Sequence, residues 1–355
     1  MAATQKPVRV LILGTGGMAN HHAEHYQKIP GVTVVAGIDT NAERLAAFQT
    51  KFGMEKGFTS VDDALAWGGF DAVSNVTPDP VHYPTTLPML AAGKHVMCEK
   101  PLAVSYKDAA DMAAKAKAAG VVNAVNLTYR NGAALQAAAK LVRDGAIGRV
   151  CHFEASYLQS WLTQPAWGQW DVQDQWLWRL STAHGSKGVL GDVGIHILDF
   201  MSFAAGVGVA EVSCRLKTFD KAPGGKIGKY TLDANDSCAM HLSLTNGAVG
   251  VVHASRFATG HLNDLRVRLY GDKGGIEIGF EKDVSRARLC TGADVQKAEW
   301  HDIRTDPVPT NYERFVAAIR GGAPMDPDFA RGADLQAVLD RAEESDGKGG
   351  ISLKV

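Results

Sequence analysis

The stretch Gly14-Thr15-Gly16-Gly17-Met18-Ala19 follows an apolar run and precedes a helical pattern. It matches G-x-G-x-x-A. The first glycine permits a tight turn and the second lets backbone approach a pyrophosphate. The helix beyond offers free N–H groups and the positive end of its dipole. Glycine turns are common, so the spacing alone is weak. Its place between a strand and a helix in a βαβ run is what points to dinucleotide binding through Gly14, Gly16, Gly17 and Met18. Asp39 closes the next apolar run, where a carboxylate bonds the adenosine ribose hydroxyls and repels a 2′-phosphate. NAD is therefore expected over NADP. Arg44 is near enough in sequence to leave NADP possible, and a turn or cap role for Asp39 is the plain alternative.

Two further stretches sit at strand ends, where open α/β sheets bind ligands. Thr77-Pro78-Asp79-Pro80-Val81-His82 is one, although loop and helix-start chemistry accounts for it equally well. Cys98-Glu99-Lys100-Pro101 is the other; Lys100 either points into the same crevice or is an ordinary solvated charge. Later, Gly188 to Phe200 reads as a helix with Asp192 and His196 four apart on one face, good spacing for a carboxylate and an imidazole to share a ligand. A packed histidine is the alternative, and Asp199 reads as a surface or capping group. His21, His22 and His25 lack acidic or cysteine partners at ligand spacing and are expected on the helix surface and crevice rim. No metal is implied.

Five of the seven tryptophans fall between Trp161 and Trp178: Trp161, Trp167, Trp170, Trp176 and Trp178. Pro165 and Gly168 make the segment loop-like. Its rings either stack on sugar C–H faces, with Gln side chains and Arg179 bonding hydroxyls, or are buried for hydrophobic reasons.

The elements that must position these groups follow from periodicity. Val8 to Leu13, Val32 to Ile38, Phe70 to Val76, His95 to Cys98 and Val121 to Val125 are short apolar runs separated by helical patterns. They predict a parallel sheet buried on both faces. Between the last two, Ser105 and Asp108 suggest a capping box. Ala109, Met112, Ala113 and Ala116 suggest a buried stripe, and Gly120 a C-terminal cap. Beyond about residue 148 the period moves toward two, as in Cys151 to Tyr157 and Met240 to Leu244. Asn246-Gly247 predicts a type I′ hairpin. The fold class expected is an α/β Rossmann domain over 1–126, then an α+β domain over 127–355 with a large, mostly antiparallel open sheet.

Composition bounds the rest. The 355 residues suit about two domains, and 37 Lys plus Arg against 38 Asp plus Glu leave a net charge of −1. That balance argues against nucleic acid as a partner, which requires a basic excess. No apolar stretch suits a membrane helix, and Met1 to Lys6 lacks a signal peptide's apolar core. Five scattered cysteines form neither a disulfide framework nor a metal motif, so a reducing cytoplasm is expected.

Taken in order, the glycine loop, Thr77-Pro78 with His82, Glu99-Lys100-Pro101 and Gly191-Asp192-Val193-Gly194-Ile195-His196 resemble the Gfo/Idh/MocA oxidoreductases, named for glucose–fructose oxidoreductase and inositol dehydrogenase. The resemblance spans nearly the whole chain. It implies reversible hydride transfer between NAD and a carbinol of a sugar, cyclitol or related polyol. It implies a homo-oligomer, dimer or tetramer. Thr77, Pro78, His82 and Glu99 would then serve the cofactor site, with Lys100 beside the nicotinamide and the reacting oxygen. Asp192 and His196 would be the substrate carboxylate and the acid/base histidine. Tyr157, Gln159, Trp161, Trp178 and Arg179 are the candidates to wall the substrate crevice. Some relatives of this kind cleave glycosides through transient oxidation, and others are non-catalytic dinucleotide sensors. Here the lead His184-Gly185-Ser186-Lys187-Gly188 departs from the usual glycine-rich form, and the tryptophan segment is not general in the family.

Overall fold

The computed structural model describes residues 6–165 and 167–355. Most of the leader, Met1 to Gln5, lies outside the described residues. The chain divides into two compact units, residues 1–128 with 309–336, and residues 129–308 with 337–355.

The first unit is built on strands β1 (Val8–Leu13), β2 (Val32–Ile38), β3 (Lys56–Phe58), β4 (Ala72–Asn75), β5 (His95–Cys98) and β6 (Asn123–Val125). They form one parallel sheet in the order β3-β2-β1-β4-β5-β6. Helices α1 (Gly17–Gln27), α2 (Ala42–Phe52), α3 (Val61–Trp67), α4 (Asp79–Ala91) and α5 (Tyr106–Ala119) connect them. The order reverses beside β1, whose neighbours are β2 and β4, and ligands of open α/β sheets bind outside the strand ends at such a point. In α5 the sequence reading holds in part: the Ser105 hydroxyl accepts the Asp108 N–H at 3.2 Å, but the Asp108 carboxylate takes the Ser105 hydroxyl at 2.9 Å in place of the return bond of a capping box; Ala109, Met112 and Ala116 are buried, Ala113 only half-buried, and Gly120 closes the helix at φ +64°.

The second unit holds α6 (Ala133–Arg143), β7 (Val150–Gln159), α7 (Asp174–Leu177), α8 (Ile195–Ala205) and β8 (Val209–Lys217). A small hairpin follows, β9 (Lys226–Ile227) and β10 (Tyr230–Thr231). Then come β11 (Ser237–Leu244), β12 (Val249–Ser255), β13 (Asn263–Gly271), β14 (Gly274–Glu281), β15 (Val284–Thr291), β16 (His301–Asp302) and β17 (Leu353–Lys354). Nine strands form a sheet in the order β16-β15-β14-β13-β7-β12-β11-β8-β17. Its neighbours are antiparallel except β7 and β12, which run parallel. Helices α6 and α8 cover one face, where Phe153, Met240, Val252 and Val267 are buried. On the other face Arg268 pairs with Glu154 and Glu277, in the alternation expected of a one-sided sheet. The Asn246-Gly247 turn is not type I′. Gly247 is at φ +87°, while Asn246 is absent from the positive-φ residues. The Gly247 N–H bonds Leu244 O, so a type I turn closed by a left-handed glycine makes the hairpin.

The late segment corrects the expected domain limits. Helix α9 (Asn311–Ile319) and the first part of α10 (Phe329–Gly347) belong to the first unit as far as Gln336. Helix α9 opens with a true capping box between Thr310 and Glu313. Its Tyr312, Phe315 and Val316 join the core of Val10, Ile12, Ala23 and Tyr26. Pro327 O accepts the Val125 N–H at 3.1 Å, and the Asn123 carboxamide accepts the Phe329 N–H at 2.7 Å, so this segment satisfies the edge of β6. Amphipathic period shows that such a helix must pack, but not on which sheet.

Helix α8 is anchored by a buried ion pair. Arg130 donates from Nε and Nη2 to Asp199 at 2.6 and 2.8 Å, and its guanidinium lies 3.6 Å from the centroid of Phe203. Asp199 is thus neither a surface nor a capping group. Arg130→Met should cost about 3–5 kcal/mol by stripping a buried carboxylate of its cation, while the double variant with Asp199→Leu should recover most of it. Denaturant titration measures both; a single-variant loss below about 1 kcal/mol would show that the pair does not anchor the helix.

Candidate active site

In the first unit the glycine loop has the shape a pyrophosphate needs. Gly14 sits at φ +88°, and a Cβ there would lie 2.9 Å from Val76 O, so only glycine lets the ends of β1 and β4 approach. A Cβ at Gly16 or Gly17 would meet nothing within 4 Å. Gly16 caps α1 with no side-chain bond, so no side chain occupies the first N–H groups of the helix. These features fit a dinucleotide phosphate. Met18 is exposed beside them.

Asp39 is almost fully buried, and both carboxylate oxygens are engaged. One accepts the Thr15 N–H and hydroxyl, each at 2.8 Å, and Arg44 Nε at 3.0 Å; the other accepts the Asn41 N–H at 2.9 Å and Arg44 Nη2 at 2.6 Å. Burial would raise its pKa, but the Arg44 bond and the N–H groups of Asn41 and Thr15 outweigh it and hold the carboxyl well below the usual range. Arg44 remains half-exposed, so a phosphate-ready cation is held by the residue expected to exclude phosphate.

At the ends of β4 and β5 the polar groups interlock. The Asn75 carboxamide oxygen accepts the Thr77 N–H at 3.2 Å and its hydroxyl at 2.7 Å, and Pro78 caps α4. His82 is fully buried, its ring nitrogens 2.8 Å from Thr77 O and 2.8 Å from Pro101 O. Glu99 takes His22 Nε2 at 2.8 Å and the Asn126 amide at 2.6 Å on one oxygen, and the Lys100 N–H at 3.3 Å on the other. Burial would raise the Glu99 pKa; the bond from His22, the Asn126 amide and nearby Lys100 outweigh it, so its pKa lies at about 2. His22 is therefore not on the helix surface as its sequence context suggests. It is fully buried, and its partners Ser74, in β4, and Glu99, just past β5, are far off in sequence, where spacing gives no hint of them.

In the second unit His196 opens α8, nearly buried, with the ring of Tyr129 edge-on at 5.0 Å. Tyr129 bonds the Tyr157 hydroxyl. Tyr157 donates to the Asn263 carboxamide oxygen at 2.5 Å, and Asn263 returns a bond to Tyr129 at 2.8 Å. Gln159 donates to Tyr157 at 3.0 Å and accepts the Trp161 indole N–H at 3.2 Å. Burial pushes both phenols up, which keeps them protonated donors. Asp192 lies in a π turn, Leu190–Gly194, rather than the expected α-helical register. One oxygen takes Arg179 at 3.0 Å and the other takes Arg256 at 2.9 Å.

Tyr157, Gln159 and Trp161 are thus almost fully buried and bonded to one another. Arg179 and Trp178 keep partial exposure, with the guanidinium 4.9 Å from the Trp178 ring. Burial accounts for much of the tryptophan segment: Trp161 packs with Leu162, Leu177, Leu180, Tyr230 and Leu232, flanked by Trp170, Trp176 and Trp178. Tyr129, Asn263 and Arg256 were missed, because each is a single residue outside any motif. Among the described residues, Asp294, Glu299 and His301 lie close enough to share a metal, and two of the three are exposed.

A parallel sheet with a helix N-terminus at its switch point marks the first unit as a dinucleotide-binding domain of Rossmann type. The description "Oxidoreductase family, NAD-binding Rossmann fold" matches residues 8–127, and the Gfo/Idh/MocA C-terminal domain matches residues 135–277. A solved oxidoreductase domain protein from Kribbella flavida is 30% identical, with a TM-score of 0.87 and 99% of each chain covered. Levoglucosan dehydrogenase of Pseudarthrobacter phenanthrenivorans is 26% identical over 96% of each chain. A levoglucosan dehydrogenase solved with NADH gives 25% identity and a TM-score of 0.86 over 99% of each chain. The chain belongs to the Gfo/Idh/MocA oxidoreductase family. No helix among the described residues is long and apolar enough to cross a membrane.

Two outcomes follow from the carboxylates of the first unit. Asp39→Ser removes a negative charge and releases Arg44, so the NADP-to-NAD affinity ratio should rise roughly tenfold or more; equilibrium titration with each cofactor measures it, and an unchanged ratio would remove Asp39 from cofactor choice. Glu99 has a folded pKa depressed from 4.5 to about 2, so its stabilisation is full above 4.5 and is lost as pH falls through 2. Across that window Glu99→Gln should lose stability less steeply than the natural chain, by up to about 1.4 kcal/mol per pH unit. Denaturant titrations at several pH values decide it, and parallel curves would mean that Glu99 is not held ionised.

Proposed function

We propose that this oxidoreductase transfers a hydride reversibly between NAD and a carbinol of a sugar, cyclitol or related polyol. The observation that carries the reading is the uncapped α1 terminus at Gly16, open above Gly16 and Gly17, on the same sheet that ends in Glu99-Lys100-Pro101. NAD, when bound, supplies the hydride acceptor. The chain's own residues do the rest. His196 takes the hydroxyl proton as the carbinol is oxidised, a task suited to an imidazole near neutral pH. The Lys100 ammonium stabilises the negative charge developing on the oxygen and, in reverse, polarises the carbonyl. Asp192, fixed by Arg179 and Arg256, accepts a substrate hydroxyl, and Arg179 with Trp178 offers a donor and a ring face to the sugar. Gly14, Gly16, Gly17 and Met18 hold the cofactor's phosphates, and Asp39 and Thr77 its other parts.

The uncovered sheet face, with Val249 and Val251 exposed beside its Arg/Glu pairs, is assigned to a second copy of the chain. The cysteines are free thiols, which suits a cytoplasmic location.

An NAD-reduction screen over cyclitols, aldopyranoses and anhydro-sugars tests the reaction. Net NADH with at least one class supports it, while glycoside cleavage without net NADH, or no reaction at all, overturns it. With the substrate found, His196→Ala should lower kcat by roughly 10²–10⁴-fold and leave NAD affinity nearly unchanged. The limiting ionisation of kcat/KM should vanish in that variant. A limb that survives in His196→Ala and disappears in Lys100→Ala would make Lys100 the proton acceptor, and near-normal turnover in both would dismiss both roles.

A further inference from the structure

The residues on either side of Lys100 are each held by a buried histidine. On one side, the Glu99 carboxylate joins His22 Nε2 at 2.8 Å to the Lys100 backbone N–H at 3.3 Å. On the other, His82 reaches Pro101 O at 2.8 Å while its second nitrogen reaches Thr77 O at 2.8 Å. Both rings are fully buried, so neither is placed to touch substrate itself. His22 is fixed in turn. Its Nδ1 lies 2.7 Å from the Ser74 hydroxyl, its ring meets Tyr312 edge-on at 5.0 Å, and the Tyr26 hydroxyl donates to Ser74 at 3.5 Å. With the Ser74 hydroxyl donating to Nδ1, the ring carries its proton on Nε2 and donates to Glu99. For His82 the carbonyls can only accept, so the ring bonds them by donating an N–H, to Pro101 O or to Thr77 O.

We propose that His22 and His82 are positioning residues that brace Lys100, one through Glu99 and the other through the Pro101 carbonyl. The inference rests on the reading that Lys100 serves the carbinol. It adds two residues that reach the reaction only through the backbone around Lys100. Helix α1 thereby has two tasks: its N-terminus faces the phosphate site, and His22, one turn in, fixes the lysine loop. Elements carrying a buried donor to a loop's only carboxylate set that loop's position more tightly than packing does, because leaving the carboxylate unbonded is costly.

The test uses the full-length chain with His22→Leu, His22→Gln, His82→Leu and His82→Gln. The Leu variants fill volume without a donor; the Gln variants restore one. Ser74→Ala, which removes only the outer bond to His22, is the milder variant should a Leu variant fail to fold. Backbone amide exchange is read over residues 97–103 without substrate, NADH affinity by fluorescence, and kcat with KM on the substrate found by the screen. The brace requires exchange at residues 97–103 to quicken by roughly tenfold or more in the Leu variants while the rest of the first unit stays unchanged. It also requires kcat to fall roughly 10–100-fold with NADH affinity within about threefold, and Gln to recover most of both. Exchange that quickens uniformly across the unit, or Gln variants as impaired as Leu, would reduce the histidines to ordinary core residues and overturn the proposal. Should the natural chain reduce NAD with no polyol, the reading of Lys100 fails, while the exchange measurement still decides the brace.

Discussion

Glu99 must remain an anion inside the first unit, and much of that unit is arranged to let it. A carboxylate taken out of water is expensive unless donors converge on it. Here they come from three places: His22 on α1, Asn126 just after β6, and the Lys100 N–H next in sequence. Asn126 is steered by Tyr312 and Asn311 of α9, with bonds of 3.1 and 3.2 Å. The return of the late segment to the first sheet is therefore more than packing, because it completes the shell around the carboxylate. The same anion sits beside the one lysine the family resemblance marks for chemistry.

The second unit solves a different problem, which is to hold an imidazole on a helix nearly all of whose residues are buried. Helix α8 is too apolar to orient itself by an amphipathic stripe; Ile195 to Ser202 are all buried. Its rotation is set by specific pairs instead. Arg130 grips Asp199, and Tyr129, the residue before Arg130, lays its ring against His196. The π turn ahead of the helix then aims Asp192 at Arg179 and Arg256. Wide turns of this kind cost hydrogen-bond quality, and they recur where a side chain must be re-aimed for function.

Asp39 and Asp192 share a device. Each carboxylate is bonded on both oxygens, and at least one bond to each comes from an arginine that keeps partial exposure: Arg44 in one unit, Arg179 in the other. Each arginine is thereby ordered against its carboxylate in the folded chain. The cost of ordering a flexible cation is then already met in the folded chain, and little is left to meet on binding.

The sequence by itself determined the local elements and the places where chemistry is possible. Strand runs, the Ser105 cap, the glycine loop and the Glu99-Lys100-Pro101 stretch depend on neighbours within a few residues, and period, propensity and φ constraints act at that range. It also determined the family, since several short motifs in fixed order carry more information than any one of them. Tertiary structure alone decided which distant groups meet. His22 and Glu99 are 77 residues apart, Arg130 and Asp199 are 69 apart, and Arg256 and Asp192 are 64 apart. None of these pairs has a spacing that a helix or a hairpin would enforce, so no pattern in the chain announces them. The side on which α9 buries its apolar face was equally undetermined, because amphipathicity gives a face and not a partner. The turn at Asn246-Gly247 and the π turn at Asp192 were settled by the strands and side chains around them, whose demands outweighed the local preference of a few residues.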